Sequence, residues 1–196
     1  MEVSAPSLGD QSAPQSAAFP WIQVFGNPHR VHIEVGPGRG EFLLRSAATN
    51  PQLNYYGIER SRSRTRSITQ AIAKRALTNV RVMDADASCL LALLPAASVD
   101  AYYVFFPDPW WKRRHERRRL LTPCFVATLS RTLVSAGTIS FATDVADYFA
   151  LAQEYFAADP HLDRVNAESA DAPSTSFARK ALRRGVPIYA STHRRR

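Results

Sequence analysis

Cysteine is nearly missing from this chain of 196 residues: Cys89 and Cys124 are the only two, far apart and in no Cys-x-x-Cys pair. They make neither a disulfide framework nor a thiolate metal site. Each sits in an apolar context and is expected as a reduced core residue. Long apolar runs are missing too. None approaches the roughly 18–20 residues that span a bilayer, so no membrane segment is expected. The first residues lack a positive stretch ahead of an apolar one, which argues against a signal peptide. A reduced, cytoplasmic protein follows as the expectation. Negative charge is scarce: 17 Asp and Glu stand against 25 Lys and Arg, a net charge of +8. That balance favours a polyanionic partner and says nothing about fold. Internal repeats are absent, and the one low-complexity tract is residues 1–18, rich in Ser, Ala, Pro and Gln. This tract is expected as a flexible N-terminal arm. The chain is 45% apolar, so residues 19–196 are expected to form one globular domain with a real core.

Residues 31–35 read as a β-branched strand, followed directly by Gly36-Pro37-Gly38-Arg39-Gly40. Residues 41–49 carry Phe42, Leu43 and Ala47 on one side, the pattern of a helix. The alternation continues with strand 55–58, helix 62–77, strand 80–83, helix 88–94 and strand 99–106. That last strand is apolar almost throughout, as a central parallel strand should be. A basic loop, a helix at 122–133, a connection ending at Gly137, strand 138–143 and helix 147–158 complete the series. Beyond it, 161–166 and 187–192 are expected to pair as an antiparallel C-terminal hairpin across the basic segment 171–186. Repeated strand–helix alternation predicts a single Rossmann-like α/β domain, a mostly parallel sheet with helices on both faces. Such sheets bind ligands outside the carboxyl ends of their strands. The informative acids fall there: Glu59, Asp86, Asp108 and Asp144 follow strands two to five in turn.

The glycine loop has the spacing Gly-x-Gly-x-Gly rather than Gly-x-Gly-x-x-Gly, which points away from a dinucleotide. Glycines at Gly36, Gly38 and Gly40 let backbone pass close to a ligand and take positive φ. Glu34 on the strand end would repel a pyrophosphate but can hydrogen-bond the cationic amino group of a methionine. Glu59 is placed to accept hydrogen bonds from both ribose hydroxyls. Asp86 is placed to read an adenine amino group. Together these suit S-adenosylmethionine better than NAD. The lysine and Ser/Thr of a phosphate-binding P-loop are absent, so an NTPase is not expected.

The most distinctive run is Phe105-Phe106-Pro107-Asp108-Pro109-Trp110-Trp111, followed by six cationic side chains from Lys112 to Arg119. Prolines on both sides pin the backbone around Asp108. A pinned acid beside flat aromatics and dense positive charge suits a nucleic-acid base held by its phosphates. The run from Lys112 to Arg119 reads as a phosphate clamp, with Lys112, Arg113 and Arg114 as its substrate-binding candidates. Trp110 and Trp111 are candidates for stacking on the base or for plain packing. Arg60, Arg62, Arg64 and Arg66 form a second basic cluster. No His, Cys or acid stands at metal-ligand spacing around His115, so no metal is expected.

Taken together, Glu34 to Phe42, Gly57-Ile58-Glu59, Asp86-Ala87, the block from Phe105 to Arg119, Leu121-Thr122-Pro123 and Ala142-Thr143-Asp144 resemble the bacterial tRNA (guanine-N7)-methyltransferases. The likeness covers about residues 20–150 well and the tail loosely. It implies a class I methyltransferase fold, S-adenosylmethionine as donor and tRNA as partner. It also implies methylation at N7 of guanosine 46. Matched position by position, Glu34, Glu59 and Asp86 fall on the family's cofactor contacts, along with the glycine loop. Asp108 falls on its active-site acid, and Lys112 and Asp144 on substrate contacts. The family usually shows Thr-Lys-Phe-Glu in the tail to hold the substrate. This chain reads Thr175-Ser176-Phe177-Ala178 there, keeping the threonine and phenylalanine but not the lysine or glutamate. A relative that binds RNA without turnover is the alternative that Ala178 raises. A methyltransferase for another RNA site or for a small molecule stays open, as do monomer and homodimer.

Overall fold

The computed structural model describes residues 21–110, 119–165 and 175–196. Helix α1 (Trp21–Phe25) leads into β1 (Val31–Val35), α2 (Glu41–Thr49), β2 (Asn54–Glu59), α3 (Arg62–Lys74), β3 (Val80–Asp84), α4 (Ala87–Ala92) and β4 (Val99–Phe105). Then come α5 (Pro123–Thr132), β5 (Leu133–Thr143), α6 (Ala146–Ala158), β6 (Leu162–Val165), α7 (Ser176–Arg183) and β7 (Tyr189–Arg195). The seven strands form one sheet in the order β3-β2-β1-β4-β5-β7-β6. Strands β1 to β5 run parallel, and β7 is antiparallel to both β5 and β6. The expected α/β class, parallel sheet and antiparallel C-terminal end are all present.

Period-two alternation decides which helices cover which face. Ile33, Val35, Ile58, Tyr102 and Val104 point to one side, onto Leu91, Phe125, Leu129 and Phe156 of α4, α5 and α6. Tyr55 and Val80 point to the other, onto Leu43, Leu44, Ala47 and Ile68 of α2 and α3. Every residue of β2 is buried, the pattern of a strand covered on both faces. Each fully buried Leu, Ile or Phe contributes roughly 1.5–3 kcal/mol, so these two cores hold the strand ends firmly. The chain winds outward from β1 through β2 to β3, then returns to lay β4 on the free side of β1. A crevice opens at such a reversal, beyond the carboxyl ends of the two strands.

Several expectations need correction. Cys89 and Cys124 are exposed rather than in the core. Their helices turn neighbours inward instead, Leu91 in α4 and Phe125, Val126 and Leu129 in α5. The apolar context along the chain belongs to the opposite face of each helix. Strand β5 begins at Leu133, so Gly137 lies inside it and ends no connection. A Cβ at Gly137 would stand 2.9 Å from the Val134 carbonyl oxygen and 3.0 Å from that of Asp100. Close backbone approach explains this glycine. The basic segment between the last two strands contains α7, capped by Thr175, whose Oγ1 accepts from the Ala178 N–H at 3.0 Å. Helix α1 has only five residues, too few for a periodic signal. It is held by Trp21, whose ring meets Tyr56 edge-on at 5.3 Å and whose Nε1 donates to the Ser98 carbonyl at 2.8 Å. The expected N-terminal arm lies outside the described residues. Among those described, no helix is long and apolar enough to cross a membrane.

Candidate active site

The site begins where β1 ends. Gly36, Gly38 and Gly40 take φ of 71°, 57° and 72°, the left-handed region that favours glycine. The turn is closed by its own hydrogen bonds. The Gly36 N–H donates to the Ile58 carbonyl at 2.9 Å and the Gly40 N–H to the Pro37 carbonyl at 2.7 Å. The Gly38 N–H donates to Glu59 Oε2 at 3.0 Å. No atom stands closer than 4.0 Å to a Cβ placed at Gly36 or Gly38, whereas one at Gly40 would lie 2.9 Å from Ile68 Cγ1. Gly40 therefore has a packing reason of its own. Gly40→Ala should lower stability by roughly 1–3 kcal/mol, read as a lower denaturant midpoint; a parental midpoint would remove that reason.

A cavity of about 300 Å³ opens between this loop, the end of β4 and the start of α7. Glu34, Gly36, Gly38, Arg39, Glu41 and Phe42 line one part; Phe105, Phe106, Asp108, Thr175 and Phe177 line another. Glu34 is buried, and its Oε2 has no hydrogen-bond partner. Burial pushes its carboxyl up to about 8, with Glu59 adding to the rise while the Leu43 N–H and Arg45 oppose it. A buried acceptor without a donor is costly, so this oxygen marks a place where a ligand donor belongs.

Asp108 is exposed on a loop held from both ends. The Phe106 N–H donates to the Ala142 carbonyl at 2.7 Å, and Arg119 Nε donates to the Pro109 carbonyl at 3.0 Å. Phe106 and Trp110 flank the Pro107-Asp108-Pro109 unit with φ of 52° and 44°. Bulky residues in that region cost of order 1–3 kcal/mol each, a strain found where geometry serves a site.

The other candidates divide. Thr175 shares the cavity with Glu34 and Asp108. Glu59 is buried beside it, its Oε1 accepting from the Ser61 N–H at 2.9 Å while Oε2 holds Gly38. Asp86 caps α4, its Oδ1 accepting from the Ser88 N–H at 2.9 Å. Each carboxylate still has lone pairs to offer. Asp144 is half-buried after β5 and does not line the cavity. Lys112, Arg113, Arg114 and Trp111 lie outside the described residues. Of the second basic cluster, Arg60, Arg62 and Arg64 stand against Asp86, Asp84 and Glu59 at 3.9, 3.0 and 3.9 Å. The exposed Arg60–Asp86 and Arg62–Asp84 pairs add little stability.

The sequence leaves Trp110 and Trp111 open between stacking and packing. Trp110 does not line the cavity, and Trp111 lies outside the described residues. Among the described residues, the rings on the wall are those of Phe42, Phe105, Phe106 and Phe177, the last two 4.9 Å apart. Phe177 is 50% exposed, which is unusual for a large apolar ring and marks it as open to a ligand. No spacing rule links positions 106 and 177; only the return of α7 over the loop does. A second, more open hollow of about 380 Å³ lies by Pro109, Arg119 and Tyr148, without the glycine loop.

Residues 28–191 match a family model described as a methyltransferase. The tRNA (guanine-N(7)-)-methyltransferase of Alkalilimnicola ehrlichii is 35% identical over 202 residues, covering 100% of this chain and 85% of that protein. The chain belongs to the tRNA (guanine-N7)-methyltransferase family. Its similarity to the relative of the same description from Rhodopirellula baltica is 35% over 187 residues, 88% of this chain and 69% of that one. Among solved structures, the 16S rRNA methyltransferase KamB superposes with a TM-score of 0.62 at 18% identity, over 89% of this chain and 92% of that chain. Likeness at that identity concerns the fold alone.

For a tRNA (guanine-N7)-methyltransferase family member, the implied donor is S-adenosylmethionine, whose amino-acid end carries an ammonium. The bare Glu34 Oε2 fits that cation, and the open space over Gly36 and Gly38 leaves room for ligand atoms against backbone. Among the described residues, no group of three or more His, Cys, Asp or Glu is placed to hold a metal ion.

Proposed function

We propose that this chain transfers a methyl group from S-adenosylmethionine to N7 of guanosine 46 in tRNA, in the cytoplasm, as a monomer or homodimer. The observation that carries this reading is a single cavity shared by Glu34, the glycine loop, Asp108 and Thr175 in a chain of this family. When bound, S-adenosylmethionine supplies an electrophilic methyl group on a sulfonium. Guanine N7 has a free lone pair and no proton, so no residue need act as a general base. Positioning does much of the work, and well-oriented pairs gain roughly 7–11 kcal/mol. The purine becomes cationic as the bond forms, so the Asp108 carboxylate on the cavity wall favours the transition state over the ground state. Phe106 and Phe177 offer a flat apolar face to the base. Glu34 takes the donor's ammonium, Glu59 its ribose hydroxyls and Asp86 its adenine amino group. Thr175, Asp144, Lys112, Arg113 and Arg114 hold the RNA substrate.

The alternative of an RNA-binding relative without turnover is not favoured. Position 178 is 1% exposed on the inner side of α7 and is not on the cavity wall, so alanine there leaves the site's other acids in place. The test is labelled methyl transfer to bulk tRNA from a strain lacking this activity, followed by nucleoside mass spectrometry. The expected product is 7-methylguanosine. Donor binding with no label in any tRNA would support the alternative instead. Neutralising Lys112, Arg113 and Arg114 together should weaken tRNA binding and flatten its salt dependence, by roughly 0.7–0.9 in log–log slope per lost phosphate contact. A parental slope would place those charges in solvent.

A further inference from the structure

Glu34 fixes where an ammonium belongs, because its buried Oε2 lacks a partner. In an α-amino acid the carboxylate hangs from the same carbon, so its oxygens lie within about 4 Å of that nitrogen. An anion placed there needs donors of its own. The glycine amides of the loop are already taken: Gly36, Gly38 and Gly40 donate to Ile58, Glu59 and Pro37. Three acids, Glu34, Glu41 and Asp108, stand on the cavity wall. A carboxylate entering that field is repelled unless a cation meets it.

Two arginines line the cavity, Arg39 and Arg64. Arg64 stands 3.9 Å from the buried carboxylate of Glu59. Arg179, on the neighbouring α7, is engaged by Glu41 at 2.6 Å. Arg39 differs from both. It sits between Gly38 and Gly40, is exposed, and makes no hydrogen bond or ion pair among the described residues. A guanidinium matches a carboxylate in a two-point fork. We propose that Arg39 holds the carboxylate of the methyl donor, so that Glu34 and Arg39 together grip the two charges of its amino-acid end. This assignment rests on the methyl-donor reading given above.

The test deletes the contact from either side. S-adenosylmethionine and its decarboxylated analogue are each titrated calorimetrically into the parent, Arg39→Met and Arg39→Lys. Arg39→Met should weaken S-adenosylmethionine by roughly tenfold or more. The same variant should change the analogue by less than about twofold. Arg39→Lys should recover part of the loss. Equal losses for both ligands, or no loss for S-adenosylmethionine, would overturn the assignment. A parent that binds neither ligand would sink the methyl-donor reading and Arg39 with it, an outcome distinct from a parent that binds both and a variant that fails to discriminate.

Discussion

Asp108→Ala should lower the rate of methyl transfer by two to three orders of magnitude and leave donor affinity nearly intact. The size follows from removing one preorganised charge from a site where charge develops only during reaction, typically a loss of about 10²–10³. The carboxylate is aimed before substrate arrives. Pro107 and Pro109 restrict the backbone, Phe106 and Trp110 sit in left-handed conformations, and Arg119 anchors the Pro109 carbonyl. The loop therefore spends little reorganisation on reaching its working shape. Asp108→Asn keeps the volume and removes the charge, so it should fall nearly as far in kcat with a small change in KM. Single-turnover rates with saturating donor separate these effects. A parental rate in either variant would remove the electrostatic role.

The second large effect belongs to Glu34. Its folded-state value near 8 lies above the ordinary 4.5, and burial is the main cause. Between those two values the folded chain keeps a proton that the unfolded chain releases. Stability from this group is therefore present below about pH 4.5 and is lost as pH rises through about 8. Glu34→Gln removes that penalty. The variant should match the parent near pH 4 and exceed it at pH 9 by on the order of 1–4 kcal/mol. Donor affinity should move the other way, falling roughly tenfold to a hundredfold, because a neutral amide replaces a carboxylate facing an ammonium. In the parent, donor binding at pH 7 should release nearly one proton, seen as a buffer-dependent heat. A variant with parental donor affinity, or a stability gain that is flat with pH, would break the link between the bare oxygen and the ligand.

Local chemistry made much of this legible before any coordinates. The five parallel strands and the glycine loop are written in short apolar runs and in glycine spacing, both of which act over a few residues. That Glu34 and Asp108 stand at strand ends was legible because each lies inside a distinctive motif, and the fold brings both to one cavity. What was not legible depends on contacts across the chain. Cys89 and Cys124 look buried because their neighbours along the sequence are apolar, but helical rotation puts those neighbours on the other face. Gly137 looks like a turn until the Asp100 carbonyl is found against it. Phe177 gains its place only because Thr175 caps a helix that returns to the loop after β4. Of the strand-end acids after strands two to five, only Asp108 lines the cavity; Glu59 and Asp86 follow β2 and β3 and Asp144 follows β5, strands outside the β1–β4 reversal.

The most direct measurement compares two synthetic tRNAs that differ at one atom, with guanosine or 7-deazaguanosine at position 46. Both present the same Watson–Crick edge, but only the first has a lone pair where N7 stands. Labelled methyl should enter the first and not the second. Equal labelling of both would mean that the cavity between Glu34 and Asp108 does not deliver methyl groups to guanine N7.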